Sequence, residues 1–288
     1  DFNTPDNVCE AAIQAIHDGF TKYTPASGTN ELKEAISRKF KEFNKLDYAP
    51  NQIVISNGGK HSLTNIFSAI MNPGDEVIIP APFWLTYPEI VKLNDGVPVI
   101  IRGEKSQGYK VSAEQIQAAI TPKTKAIVPV HIFGQCANME AIMDIARRHN
   151  LYVVEDNAQA IGADYTFSDG TVKKAGTIGT IGCTSFFPSK NLGCYGDGGA
   201  LFTNDDSLAE QIRAVVNHGM KVRYYHDYVG VNSRLDTIQA AVLDIKLKHL
   251  DEYIAARQYA AAYYDKAFAV TDKIIIPKKS HFTTHVYH

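Results

Sequence analysis

The sequence predicts an α/β protein, a three-layer α/β/α arrangement around a mostly parallel, mixed sheet. Two observations lead there. Short apolar runs rich in β-branched residues, bounded by Gly, Pro or Asn, recur at 53–56, 76–79, 97–101, 126–130 and 151–154. Between them lie stretches of helical periodicity, and strand–helix–strand at this spacing gives parallel neighbours covered on both faces. The size agrees, since 288 residues that are 45% hydrophobic can bury a large core.

After the strand at 53–56, residues 59–71 place Leu63, Ile66, Phe67 and Ile70 on one helical face. Strands at 76–79, 97–101 and 126–130 follow, and then a helix at 138–149 with Ile142, Ile145 and Ala146 on its apolar side. The strand at 151–154 ends in the acidic pair Glu155-Asp156. Two more strands, 183–187 and 199–203, precede a helix from about 207 to 217. From 236 to 268 the pattern is nearly all helix, and 283–288 reads as the beginning of another strand. This divides the chain into a large domain, 1–235, and long helices leading into a truncated small C-terminal domain, 236–288.

Charge and cysteine usage exclude several function classes. With 29 Lys+Arg against 31 Asp+Glu, the net charge of −2 offers no broad basic field for nucleic acid or an anionic membrane. Cys9, Cys136, Cys183 and Cys194 are scattered without a zinc or disulfide spacing, which suggests reduced thiols in a cytoplasmic protein. The start, Asp1-Phe-Asn-Thr-Pro, lacks a signal pattern, and no apolar run has the length of a membrane span.

Four clusters carry candidate chemistry. Ser56-Asn-Gly-Gly-Lys-His-Ser62, at a strand-to-helix junction, suits either a tight turn or an anion such as phosphate bound by free helix N–H groups. Trp84, the only tryptophan, lies just past a strand's carboxyl end in a proline-bounded loop, where it either plugs the core or stacks on a flat ligand. Glu155-Asp156 could hold a metal, or could set a carboxylate against a pyridine nitrogen and keep it protonated. His131, also at a strand end, reads as a hydrogen-bonded core histidine. The fourth cluster is Ser185-Phe-Phe-Pro-Ser-Lys190, where a lysine follows a strand end and two hydroxyls. A surface lysine is the ordinary reading, but burial there would lower its pKa and make it an imine-forming nucleophile. An imine lysine together with a strand-end carboxylate is what a protein supplies to pyridoxal 5′-phosphate.

Residues from about 126 to 268 resemble the DegT/DnrJ/EryC/StrS sugar aminotransferases, of the fold type I pyridoxal-phosphate transferases. The matching strings include Val128-Pro-Val-His-Ile-Phe-Gly-Gln135, Val153-Val-Glu-Asp-Asn-Ala-Gln159, Gly182-Cys-Thr-Ser-Phe-Phe-Pro-Ser-Lys-Asn-Leu-Gly193 and Gly230-Val-Asn-Ser-Arg-Leu-Asp236. The resemblance implies that Lys190 forms the internal aldimine, Asp156 meets the pyridine nitrogen, Gln159 lies against the ring and Ser185 touches the phosphate. Asn232 would reach the phosphate of a neighbouring subunit.

Residues 1–125 are instead similar to class I aspartate aminotransferases, through Tyr23-Thr-Pro-Ala-Ser-Gly-Thr-Asn-Glu-Leu, Ser56-Asn-Gly-Gly-Lys-His-Ser62 and Pro82-Phe-Trp-Leu-Thr-Tyr87. That resemblance implies a phosphate turn at Gly58, Gly59 and Lys60, stacking by Trp84, and Tyr23 crossing to the partner's phosphate. The two meet near 118–127, so the chain reads as a chimera that forms a homodimer. The expected activity is transfer of an amino group from a donor such as glutamate to a keto-sugar or 2-oxo acid. The rival is a scaffold that binds the cofactor without turnover. A sugar dehydratase is disfavoured, because that offshoot replaces the lysine with histidine.

Overall fold

The computed structural model describes residues 3–22 and 24–288. Helices α1 (Asp6–His17) and α2 (Asn30–Asn44) precede β1 (Ile53–Ser56). The chain then alternates through α3 (Gly59–Ile70), β2 (Glu76–Ala81), α4 (Thr86–Leu93), β3 (Val97–Arg102), α5 (Ala113–Ala119), β4 (Thr124–Ile127), α6 (Met139–His149) and β5 (Tyr152–Asp156). A hairpin of β6 (Asp164–Thr166) and β7 (Val172–Lys174) leads to β8 (Ile181–Ser185), β9 (Gly199–Phe202) and α7 (Asp206–Val216). A second hairpin, β10 (Met220–Val222) with β11 (Tyr225–His226), is followed by α8 (Thr237–Leu247) and α9 (Leu250–Phe268).

The main sheet has seven strands in the order β1-β9-β8-β5-β4-β2-β3. Only β9 runs antiparallel to its neighbours β1 and β8; the other pairs are parallel. The carboxyl ends of β1, β8, β5, β4 and β2 therefore emerge at one edge, where ligands of open α/β sheets collect.

Side chains alternate across the pleat, which explains why the strands read as unbroken apolar runs. Ile53, Ile55, Ile78, Ile127 and Val153 join one core layer with Leu32 and Ile36 of α2, Ile142 and Ile145 of α6, and Leu243, Leu247, Leu250 and Ile254 of α8 and α9. Val54, Val77, Ile79, Ala126 and Val154 face the other way, onto Leu63, Ile66 and Phe67 of α3, Tyr87 and Ile90 of α4, and Ile212 of α7. This is the three-layer α/β/α arrangement that the sequence predicts.

Local sequence accounts for the element ends. Thr29, Asn138 and Asp205 each accept a backbone N–H from the first turn of α2, α6 and α7. Helix α6 closes with Arg147, Arg148 and His149 near its negative end and with Asn150 in the left-handed conformation. Strand β4 stands at 124–127, mid-sheet, between β2 and β5.

Besides the strands expected at 126–130 and 183–187, which stand at 124–127 and 181–185 with Val130 making only an isolated bridge to Asp156, three features differ from the expectation. The helix expected over 236–268 breaks after Leu247 and restarts at Leu250, with neither Gly nor Pro at the break. The strand expected at 283–288 shrinks to one bridge between Thr283 and Tyr165. Beyond it the tail docks by buried contacts: Val286 is buried, its N–H donates to the Gly134 carbonyl at 3.0 Å, and its own carbonyl accepts from Asn191 Nδ2 at 3.2 Å. Gly134, at φ 100°, is needed for that approach, since a Cβ there would lie 2.7 Å from the Tyr287 nitrogen. The β6–β7 hairpin was unexpected as well, although Ser168-Asp169-Gly170 is a turn signal, with Gly170 at φ 83° and Asp169 Oδ1 accepting the Thr171 N–H.

Candidate active site

The Gly58-Gly59 turn and Ser185 come together from positions far apart in sequence. Strands β1 and β8 flank β9, and both Ser56 and Ser185 pair with Gly199. Gly58, at φ 115°, turns the chain into α3 and supplies no side-chain cap, so the first amides of that helix stay open to an acceptor. A Cβ on Gly58 would meet nothing within 4 Å, whereas one on Gly59 would sit 2.9 Å from Ser185 Cβ. Open space bounded by an uncapped helix start and a serine hydroxyl is a cradle that fits a phosphate. Lys60, exposed at the helix start, holds its ammonium 5.5 Å from the Trp84 ring centroid.

On β5 the two acidic residues take separate roles, because neighbouring strand residues point to opposite faces. Glu155 is fully buried and accepts from the Gly176 N–H at 2.9 Å, the Ile178 N–H at 2.6 Å and His131 Nε2 at 2.8 Å. Since His131 Nδ1 accepts the Ala137 N–H at 3.1 Å, the ring proton sits on Nε2 and points at Glu155. His131 is thus a satisfied core histidine and Glu155 a structural acid. Asp156 faces the α4 side. Its Oδ1 accepts the Ala158 N–H at 2.9 Å, and its Oδ2 accepts the Tyr87 hydroxyl.

Lys190, half-buried beyond β8, lies within the electrostatic reach of Asp156. Burial lowers the Lys190 pKa, and the Asp156 charge opposes that shift without reversing it. An amine so placed deprotonates more readily than a surface lysine. Gln159 accepts the Phe133 N–H on Oε1 at 2.6 Å, which fixes it beside the turn that follows His131.

One neighbour of Lys190 escaped the sequence reading. His288 Nε2 lies 3.3 Å from Lys190 Nζ, with the His288 backbone N–H on the Phe133 carbonyl at 3.2 Å. Burial first, and then the charges of Lys190 and Arg257, push the His288 imidazole from 6.5 down to about 4. The folded state thus favours neutral His288, which can accept from the lysine. The stability tied to that neutral form is complete above about pH 6.5 and is lost as the pH falls toward about 4. The wild-type thermal midpoint should accordingly fall more steeply across this window than that of His288→Gln, as scanning calorimetry at stepped pH would show.

The remaining candidates are placed less centrally. Trp84 is 61% exposed, so it does not plug the core. Asn232 is exposed, its backbone bridging Asn217, while its neighbour Ser233 is buried and meets Asn65 Nδ2 at 2.9 Å and His61 Nδ1 at 3.3 Å on α3. Tyr23 lies outside the described residues. An apolar cavity of about 220 Å³ between α2, α8 and β9 includes neither Lys190 nor Asp156.

Comparison with known proteins agrees with this geometry. The profile of the DegT/DnrJ/EryC1/StrS aminotransferase family matches residues 22–288. A UDP-2-acetamido-2-deoxy-3-oxo-D-glucuronate aminotransferase of Pseudomonas aeruginosa is 50% identical over 195 residues, 68% of this chain and 53% of that protein. An aspartate aminotransferase of Bacillus sp. is 48% identical over 162 residues, 54% of this chain and 41% of that one. The crystal structure of DesV from S. venezuelae, in complex with a ketimine intermediate, superposes with a TM-score of 0.83 at 34% identity, covering 98% of this chain and 72% of DesV. The matched part of the chain spans 53–63% of the length of three such curated relatives. With its fold, its strand-end lysine and acid, and a profile match over nearly its whole length, the chain belongs to the DegT/DnrJ/EryC1/StrS aminotransferase family.

Proposed function

We propose that the protein holds pyridoxal 5′-phosphate on Lys190 and transfers an amino group from an amino acid such as glutamate to an oxo acceptor, a keto-sugar or a 2-oxo acid. The observation that carries this reading is the meeting, at one sheet edge, of Lys190 and Asp156 with the open Gly58-Gly59 cradle beside Ser185. When bound, the cofactor supplies an electrophilic carbonyl and an electron-withdrawing ring. The amides that open α3 and the Ser185 hydroxyl would bind its phosphate, with Lys60 adding positive charge. Asp156 would orient the ring and hold a proton at its nitrogen. Lys190 would anchor the cofactor and, once freed by the donor, its amine would carry the proton between substrate and cofactor carbons. Trp84, on its exposed loop, would stack on the ring, and Gln159 would lie against it. The keto-sugar acceptor is favoured by the P. aeruginosa relative, whose name specifies an oxo-sugar nucleotide.

A second copy of the chain belongs to the same proposal. The β10–β11 hairpin and its flank expose Tyr224, Tyr225 and Val229 beside Asn232, an apolar patch of the kind that marks an interface. Asn232 and Tyr23 would act across it, on the partner's phosphate. The composite origin of the chain, with a junction near 118–127, is supported by two kinds of relative at nearly equal identity.

Adding pyridoxal phosphate should give a visible absorbance band, and excess glutamate should then abolish it. A band that glutamate leaves untouched would reduce the protein to a cofactor-binding scaffold; no band would end the proposal. Gly59→Ala provides a local check. The added methyl must displace Ser185, and overpacking of this kind costs about 1–3 kcal/mol. The apo thermal midpoint should fall by a few degrees, the better helix former offsetting only part of that cost, and cofactor affinity should fall roughly tenfold to a hundredfold in an absorbance titration, because the displaced Ser185 would no longer face the cradle.

A further inference from the structure

We infer that Tyr87 is a positioning residue for the cofactor, its hydroxyl fixing the plane of the Asp156 carboxylate that would face the pyridine nitrogen. The inference rests on the pyridoxal-phosphate reading and gives a role to Tyr87, the last residue of the Pro82–Tyr87 string, to which the sequence assigned none. Tyr87 stands in the first turn of α4, immediately after the Trp84 loop, and its N–H donates to the Trp84 carbonyl at 3.1 Å. Its ring is buried in the core layer that Val154 and Ile79 share, the face of the sheet onto which Asp156 projects. From there the hydroxyl donates to Asp156 Oδ2, while the Ala158 N–H occupies Oδ1.

A carboxylate with one donor on each oxygen cannot swing about its Cβ–Cγ bond, yet its two oxygens together keep further lone pairs for a third donor. Burial, and then the neighbouring Asp156 charge, push the Tyr87 phenol well above its ordinary value, so the shared proton stays on tyrosine. Tyr87 therefore acts as a donor throughout, and Asp156 remains an acceptor. The pair also bridges the chain. Tyr87 precedes the proposed junction near 118–127 and Asp156 follows it, so the loop carrying Trp84, which would stack on the ring, is tied through Tyr87 to Asp156.

The competing explanation is that Tyr87 only fills the core, and a double-mutant cycle separates the two. Wild type, Tyr87→Phe, Asp156→Asn and the double variant would be titrated with pyridoxal phosphate, with apo thermal midpoints measured alongside. Phenylalanine keeps the ring and removes only the hydroxyl. A hydrogen bond to a charged group is among the stronger kinds, so Tyr87→Phe should weaken binding about tenfold or more when Asp156 is intact. In the Asp156→Asn background the same change should cost less than about twofold. The pH at which the bound cofactor's absorbance changes should also move with Tyr87→Phe. Equal losses in both backgrounds, or wild-type affinity and spectrum in Tyr87→Phe, would overturn the inference. If wild type itself gives no band, the proposed function fails instead, and the apo proteins decide whether the pair exists: non-additive thermal shifts support it and additive shifts refute it.

Discussion

Lys190→Ala should abolish the cofactor's visible band and its borohydride-stable attachment, and slow any glutamate half-reaction at least about 10⁴-fold, the upper range for loss of a positioned proton carrier. The effect should be this large because, on the proposed function, one amine would serve as both anchor and base. Folding should survive. Lys190 Nζ is half-buried with His288 as its hydrogen-bond neighbour, and removing such a group usually changes stability by no more than about 0.5–1 kcal/mol. Peptide mapping supplies the sharper half of the test. Burial also lowers the pKa of Lys33 and Lys246, so depressed basicity alone does not select Lys190. The three differ in what faces the amine. Lys33 Nζ donates to the Ser27 hydroxyl at 3.3 Å and has the like charge of Arg213 nearby, and Lys246 Nζ donates to the Gly193 carbonyl at 2.6 Å. Only Lys190 has Asp156 within its field. An adduct at Lys33 or Lys246, or an undiminished band in Lys190→Ala, would contradict the assignment.

The parts of this site that were legible in the sequence are those set by local pattern. The apolar runs at 53–56 and 76–79 predicted strands because both faces of the sheet are buried there, and a doubly buried strand cannot hide its composition; the run at 97–101 is apolar although its edge strand is partly exposed. The same logic placed Gly58, Gly59, Asp156 and Lys190 at strand ends. Contacts made by tertiary packing were not legible. Tyr87 meets Asp156 across 69 residues, and His288 meets Lys190 across 98. No spacing rule encodes such pairs. The turn after β1 looked like ordinary turn chemistry until β9 brought Ser185 against it. Read as a unit, Glu155-Asp156 suggested either a metal or a ring acid; the pleat turns the two carboxylates to opposite faces of β5, one onto His131 and backbone amides, the other onto Tyr87. The break between α8 and α9 had no local signal, since neither Gly nor Pro stands there.

Glu155→Ala should destabilise the fold by about 3–5 kcal/mol, the range for removing one partner of a buried charged network. The size follows from what would be stranded. Four donors converge on this carboxylate: His131 Nε2 and the N–H groups of Gly176, Ile178 and Gly179. All would be left without an acceptor, those of His131, Gly176 and Ile178 in buried positions and that of Gly179 half-buried, and each buried orphaned donor costs about 1–3 kcal/mol before relaxation. Relaxation has little room. A Cβ on Gly179 would lie 2.7 Å from the Val153 carbonyl oxygen, and one on Gly182 would lie 1.9 Å from that of Gly176, so the 176–182 backbone is already packed against β5 and against itself. Glu155→Gln should be intermediate, keeping one acceptor oxygen while turning an NH₂ toward other donors. Urea unfolding monitored by circular dichroism measures both variants, and a loss below about 1 kcal/mol for Glu155→Ala would refute the network's role. Comparison with Asp156→Ala completes the argument. Because the two carboxylates lie on opposite faces of β5, Glu155→Ala should lower stability while folded molecules keep their cofactor affinity. Asp156→Ala should lower affinity at a smaller cost in stability. A reversal of that pattern would mean that the site acid had been assigned to the wrong member of the pair.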